Sequence, residues 1–204
     1  MSKPVLLPNE ERRAVTLELR AGGSAAAPMI RGHAALFNSP SELLCGCFRE
    51  IILPGAFTDA LATSDVRALF NHDPNMILGR TAAGTLRLKE DETGLAIEID
   101  PPDTTCGRDL QISMKRGDVN QMSFGFTIAE DGDEWTRDPD GTGNWTRTIS
   151  KVERLYDVSP VTYPAYPETD CAVRSLDKAK GQEVPQIDYR TEINRRRLEL
   201  EAVL

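Results

Sequence analysis

The sequence is poor in the residues from which most catalytic sites are built. Its 204 residues include 2 histidines and 4 cysteines. The cysteines, Cys45, Cys47, Cys106 and Cys171, give one C-x-C pair and no C-x-x-C, so no zinc or thioredoxin-like dithiol pattern is present. His33 and His72 lie far from any second cluster of ligands, and a zinc site needs a third and fourth donor that the chain does not assemble. No metal or cofactor is expected. Apolar runs are only a few residues long, which excludes a membrane-spanning helix. The opening MSKPVLLPNEERR has no apolar core of a secretory signal, so the thiols are expected to stay reduced. Basic residues are also in deficit. Lys and Arg number 24 against 32 Asp and Glu, a formal charge of −8. No cationic surplus is available to neutralise phosphates, so nucleic acid is not an expected partner.

What is present suits a globular chain. It is 40% hydrophobic and 27% charged, enough for one domain with a real core and a tail. Alternation of polar and apolar residues over 12–20 predicts a strand with Val15, Leu17 and Leu19 on one side. Residues 21–28, rich in Gly and Ala, predict a turn or loop before a strand at 29–37. Phe48 to Leu53 reads as a short strand stopped by Pro54-Gly55, and Ala56 to Thr63 as a short helix. Strands follow at 65–71, 77–81, 85–89 and 95–99, the last two forming a hairpin. Thr104 is placed to cap a helix from Thr105 to about Lys115, ended by Gly117. Gln121 to Ala129 is a strand, 131–145 a polar glycine-rich loop, and strands return at 146–155 and 156–162. After Cys171 the composition turns polar, with a charged helix predicted over 191–204. The chain divides into a β-rich domain at 10–172 and a linker and helical tail at 173–204.

Periodicity gives strands, not a reaction. For a nucleophile served by a base, the base must be His33 or His72. His33 sits within a strand-like run and reads as a packed or surface histidine. His72, in Phe70-Asn71-His72-Asp73-Pro74, ends a strand in a polar cluster, where scaffolds present working side chains. A capping role in the turn is the equal alternative. Ser123, between Met122 and Phe124, reads by default as a strand serine. Gly125 is more telling, since glycine inside a strand allows close approach. No G-x-S-x-G elbow is present, so an α/β-hydrolase is not indicated.

Several runs, kept in one order, match a known pattern. They are Gly32-His33-Ala34-Ala35-Leu36-Phe37-Asn38, Leu53-Pro54-Gly55-Ala56-Phe57 and Val66-Arg67-Ala68-Leu69-Phe70-Asn71-His72-Asp73. Leu78-Gly79-Arg80-Thr81, Gly84-Thr85-Leu86 with Leu88, and Gly117-Asp118-Val119 follow. Met122-Ser123-Phe124-Gly125-Phe126 and Asp157-Val158-Ser159-Pro160-Val161-Thr162-Tyr163-Pro164-Ala165 complete the set. Over residues 30–165 the chain resembles the prohead, or capsid-maturation, serine proteases of tailed bacteriophages. That family is similar in fold to the herpesvirus assemblin proteases. The resemblance implies a mainly β fold with flanking α-helices, a closed antiparallel β-barrel wrapped by helices.

The same resemblance makes His72 the general base and Ser123 the nucleophile. For the third member, the herpesvirus enzymes use a second histidine and the phage family an acidic residue. Asp157 is the choice it implies, with Glu153 as runner-up; Asp73 adjoins His72 and is poorly placed to face its far nitrogen. Such proteases enter an immature procapsid and cut the scaffold, or the scaffold-like segment of the major capsid protein, and themselves. The implied partners are therefore major capsid protein and scaffold, with neither nucleic acid nor membrane, in the host cytoplasm inside the procapsid. A homo-oligomer stays open. The alternative from another class is a non-catalytic head-assembly or scaffolding protein that kept the barrel.

Overall fold

A computed structural model of the chain describes residues 10–16, 20–24, 27–139, 142–163 and 176. Strand β1 (Glu11–Thr16) opens the described chain, followed by a hairpin of β2 (Arg20–Ser24) and β3 (Ala27–Leu36). Then come β4 (Phe48–Ile52), helix α1 (Thr58–Thr63), β5 (Arg67–Phe70), β6 (Asp73–Arg80), β7 (Leu86–Glu90) and β8 (Gly94–Ile99). Helix α2 (Thr105–Arg116) leads to β9 (Gln121–Ile128), β10 (Asp133–Arg137), β11 (Trp145–Ile149) and β12 (Val152–Val161). The mainly β reading therefore holds. Thr104 accepts a hydrogen bond from the Gly107 N–H, and Gly117 closes α2 at φ 85°, a left-handed conformation that glycine adopts without a steric penalty.

The closed antiparallel barrel is not what forms among the described residues. The strands pair in three sets, β1-β9-β12-β5-β6, β2-β3-β8-β7 and β10-β11-β4. Two of the pairings, β12 with β5 and β11 with β4, are parallel. Among the described residues no ladder joins the edges of these sets; a single parallel bridge, Phe37 with Ile52, links the end of β3 to β4, and side-chain packing does the rest. One apolar cluster unites Phe124, Phe126 and Val158 of the first sheet with Ile30, Ile97 and Ile99 of the second. Phe57, just before α1, packs edge-on against Phe124 with centroids 5.8 Å apart.

Two segments read as loops are strands. Residues 21–28 lie mostly in the β2–β3 hairpin, with Gly22 opposite Met29. The polar excursion at 131–145 contains β10, paired with β11, because Trp135 rests on Phe48 with centroids 5.1 Å apart and gives the segment a buried anchor. Leu176 is also buried, in a small cluster with Leu44 and Phe48. The predicted tail helix at 191–204 lies outside the described residues.

A buried ion network ties β1 to the three-stranded sheet. Arg13 bridges Glu11 and Glu50, and Arg147 bridges Glu11, Glu50 and Asp133. Burial disfavours the charged form of Glu50, but the adjacent Arg13 and Arg147 guanidinium groups outweigh it and hold its carboxyl below the usual range.

Candidate active site

The five-stranded sheet assembles a polar site from two of its strands and one of its turns. On β9, residues alternate in direction. Met122, Phe124 and Phe126 serve the core, and Ser123 and Gly125 face the other way. β12 runs antiparallel beside it, with Ser159 opposite Ser123 and Asp157 opposite Gly125. Residues directly opposed in such a pair project to one side. A bulge makes this possible. The register shifts between Leu155 and Asp157, leaving Tyr156 as the extra residue. Leu155 and Val158 can then both enter the core, and Asp157 is turned onto the face of Ser123. Without the bulge Tyr156 would occupy that place.

His72 arrives from the next strand pair. β5 lies parallel to β12, with Arg67 beside Asp157, and turns into β6 at Asn71-His72. Phe70 pairs with Asp73, so the connection is a two-residue hairpin. Both turn residues have positive φ, 54° and 56°, the backbone of the tight turns that match strand twist. Asparagine tolerates that region; histidine does so at some cost. The turn is pinned from outside. The Asn71 N–H donates to Pro160 C=O at 3.0 Å, the Thr162 N–H donates to Asn71 Oδ1 at 2.9 Å, and Asn71 Nδ2 donates to Thr162 Oγ1 at 3.0 Å. Pro74 is accommodated because β6 is an edge strand.

These elements bring the three expected side chains together. His72 Nδ1 lies 2.6 Å from Asp157 Oδ2, and His72 Nε2 lies 2.8 Å from Ser123 Oγ. All three are buried, His72 at 8% exposure, Asp157 at 5% and Ser123 at 0%. An ionised carboxylate only accepts, so Nδ1 carries the proton and donates to Asp157. Nε2 is then bare and accepts the Ser123 hydroxyl. The arrangement can take a proton from Ser123 Oγ and stabilise the imidazolium that results.

The other candidates lie elsewhere. Glu153 is exposed, and its Oε2 accepts from Thr127 Oγ1 at 3.4 Å. Asp73 turns to its own strand and accepts from Asn75 N–H at 2.9 Å. His33 is on the four-stranded sheet, within 2.9 Å of Asp91. The Cys106 thiol is pushed up by burial and, to a lesser degree, by Asp109 and Asp73, so it is held as a thiol rather than a thiolate. Among the described residues no group of three or more His, Cys, Asp or Glu is arranged to hold a metal ion.

A family model described as caudovirus prohead serine protease matches residues 15–183. The chain belongs to that family. The prohead protease of Enterobacteria phage HK97 is 32% identical over 165 residues, covering 78% of this chain. The chain spans 66% of the length of that relative. A solved structure, the bacteriophage T4 capsid assembly protease, is similar over 75% of this chain and 97% of its own, at 9% identity and TM-score 0.48.

Around the site of this prohead protease family member stand residues that sequence reasoning passed over. Ser159 Oγ donates to Asp157 Oδ2 at 2.5 Å. Glu10, buried just before β1, reaches the same patch and is paired with Arg12 at 2.9 Å. The close approach at Gly125 is made by side chains. A methyl group built there would stand 2.7 Å from Asp157 Oδ1 and 2.9 Å from Glu10 Oε1. Asn71 had a legible signal, an asparagine between two strand-like runs. Glu10 and Ser159 had none, because only the strand register brings them in.

Proposed function

We propose that this chain is a serine endopeptidase of procapsid maturation in which Ser123 is the nucleophile, His72 the base and Asp157 the carboxylate that orients it. The hydrogen-bonded line from Asp157 through His72 to Ser123 carries the reading. Ser123 Oγ attacks a peptide carbonyl carbon as its proton passes to His72 Nε2. Asp157 keeps the proton on Nδ1 and balances the charge of the imidazolium. Backbone N–H groups stabilise the oxyanion of the tetrahedral intermediate. The imidazolium then protonates the leaving amine, and water, deprotonated by His72, releases the acyl group.

Family membership supports the biological setting. The substrates are the scaffold, or a scaffold-like segment of the major capsid protein, and the protease itself, cut inside the procapsid in the host cytoplasm. Among the described residues no helix is long and apolar enough to cross a membrane. The acidic balance of −8 fits protein partners better than nucleic acid. In domain terms, composition divides a protease body at 10–172 from a linker and tail at 173–204, with buried Leu176 drawing the start of that linker onto the body.

One observation favours the non-catalytic alternative: Ser123 is fully buried rather than presented on an open surface. Mass spectrometry decides between the readings. Wild type and Ser123→Ala are each incubated alone and with the cognate capsid protein. Discrete products that vanish in Ser123→Ala establish the protease. Intact protein in every tube, with both variants folded by circular dichroism, favours the assembly role.

A further inference from the structure

We propose that Ser159 is a positioning residue of this site, holding the Asp157 carboxylate in the orientation His72 requires. The inference rests on the roles assigned above to Asp157, His72 and Ser123. A carboxylate has two equivalent oxygens and turns easily about its last bond, so something must fix which one faces the imidazole. Here Oδ2 accepts from His72 Nδ1 at 2.6 Å and from Ser159 Oγ at 2.5 Å. Among the described residues these two are the only donors to the Asp157 side chain. Ser159 therefore supplies half of its hydrogen bonds. The hydroxyl is fully buried and makes no other side-chain bond among the described residues, so nothing competes for its proton.

The other oxygen is confined by packing. Oδ1 lies over Gly125, beside Glu10 Oε1. Glu10 is a second buried carboxylate, paired with Arg12, and it fills the space on that side of Gly125. Among the described residues the titratable groups facing Asp157 are thus His72 from the β5–β6 turn and Glu10 from just before β1. Arg67, its partner in register on β5, is drawn to Asp65 at 3.2 Å. Removing the Ser159 hydroxyl leaves the Asp157 side chain with one donor among the described residues. Ser159 also stands opposite Ser123 on the adjacent strand, so clamp and nucleophile share one rung of the sheet.

The test uses the full chain as wild type, Ser159→Ala, His72→Ala and Ser123→Ala. Proton NMR follows the far-downfield resonance of the His72 Nδ1 proton, assigned by its loss in His72→Ala. A fluorophosphonate probe follows nucleophilicity, since an activated serine Oγ displaces fluoride from phosphorus. In Ser159→Ala the downfield proton is expected to move upfield or broaden, and labelling to slow by about ten- to a hundred-fold, the range for losing a hydrogen bond to a charged group. Thermal unfolding is expected to stay cooperative. If Ser159→Ala does not fold, Ser159→Cys keeps a donor there, with a longer and weaker hydrogen bond, and should show the same changes in smaller degree. An unmoved downfield proton with labelling at the wild-type rate would overturn the proposal, with the roles of His72 and Ser123 intact. Undiminished labelling of Ser123→Ala would instead overturn the underlying assignment.

Discussion

Gly125 and Asp157 face each other across β9 and β12 so closely that a methyl group on Gly125 would stand 2.7 Å from Asp157 Oδ1. The absence of a side chain at Gly125 is what gives the carboxylate its place. Alanine in a strand would ordinarily be preferred to glycine by about 0.5–1 kcal/mol. Here the carboxylate is held by His72 and Ser159 and cannot retreat without breaking one of those bonds.

Gly125→Ala should therefore separate fold from activity. Circular dichroism is expected to be unchanged and the melting temperature to move by only a few degrees. Cleavage should fall by about a hundred-fold, the typical cost of displacing a reacting group by about 1 Å. Wild-type cleavage in Gly125→Ala would show that the carboxylate has room to spare.

The turn that carries His72 gives a second prediction. Asn71 contributes a positive φ of 54° and a two-way side-chain link to Thr162. Asn71→Gly keeps the backbone freedom and loses the link; Asn71→Ala loses both. Both variants should lose about ten-fold in kcat, because the imidazole is no longer fixed in orientation. Asn71→Ala should unfold at lower stability than Asn71→Gly by about 1 kcal/mol, the cost of a left-handed backbone with a Cβ. Urea titration of the pair measures that difference directly.

These relationships show why the sequence discloses only part of the site. The strands at 48–53, 85–89, 95–99 and 121–129, and the helix after Thr104, follow from alternation and capping, which are local. His72, Ser123 and Asp157 stood out as candidates because each sits in a run that resembles the family's pattern. The bulge at Tyr156 has no composition of its own and emerges only when β12 is laid against β9. The Asn71-His72 turn lacks the glycine that usually announces a two-residue hairpin, so β6 was expected four residues too late. The barrel closure was expected by analogy with a fold family, whereas strand pairing depends on contacts far apart in the chain.

The buried ion network yields a prediction about acid. Glu50 is buried, and its guanidinium partners hold its carboxyl below the ordinary range. The unfolded chain therefore takes up this proton first as pH falls. The stabilisation is fully present above the ordinary glutamate value near ~4.3 and is lost as pH drops through the lower folded value. Unfolding free energy against pH should show a steep acid limb there, and Glu50→Gln should flatten it while lowering stability at neutral pH. Arg147→Met, which strands Glu11 and Glu50 without that cation, should cost about 3–5 kcal/mol at pH 7. A variant as stable as wild type would mean the network is not desolvated in solution.

The last prediction concerns where the folded body ends. The compositional boundary falls at residue 172, yet Leu176 is only 1% exposed and packs on Leu44 and Phe48 beside Trp135 and Trp145. A buried leucine cut to alanine costs about 2–5 kcal/mol when the cavity cannot collapse. A chain shortened to end at 172 loses the whole side chain and bares Leu44 and Phe48. A chain ending at 178 keeps the anchor. The shorter chain should melt at a clearly lower temperature than the longer, and Leu176→Ala in the full chain should reproduce most of that drop. The indole emission of Trp135 and Trp145 should shift to the red in both destabilised forms, since water then reaches the cluster. Equal melting temperatures for the two truncations would place the boundary at 172 after all.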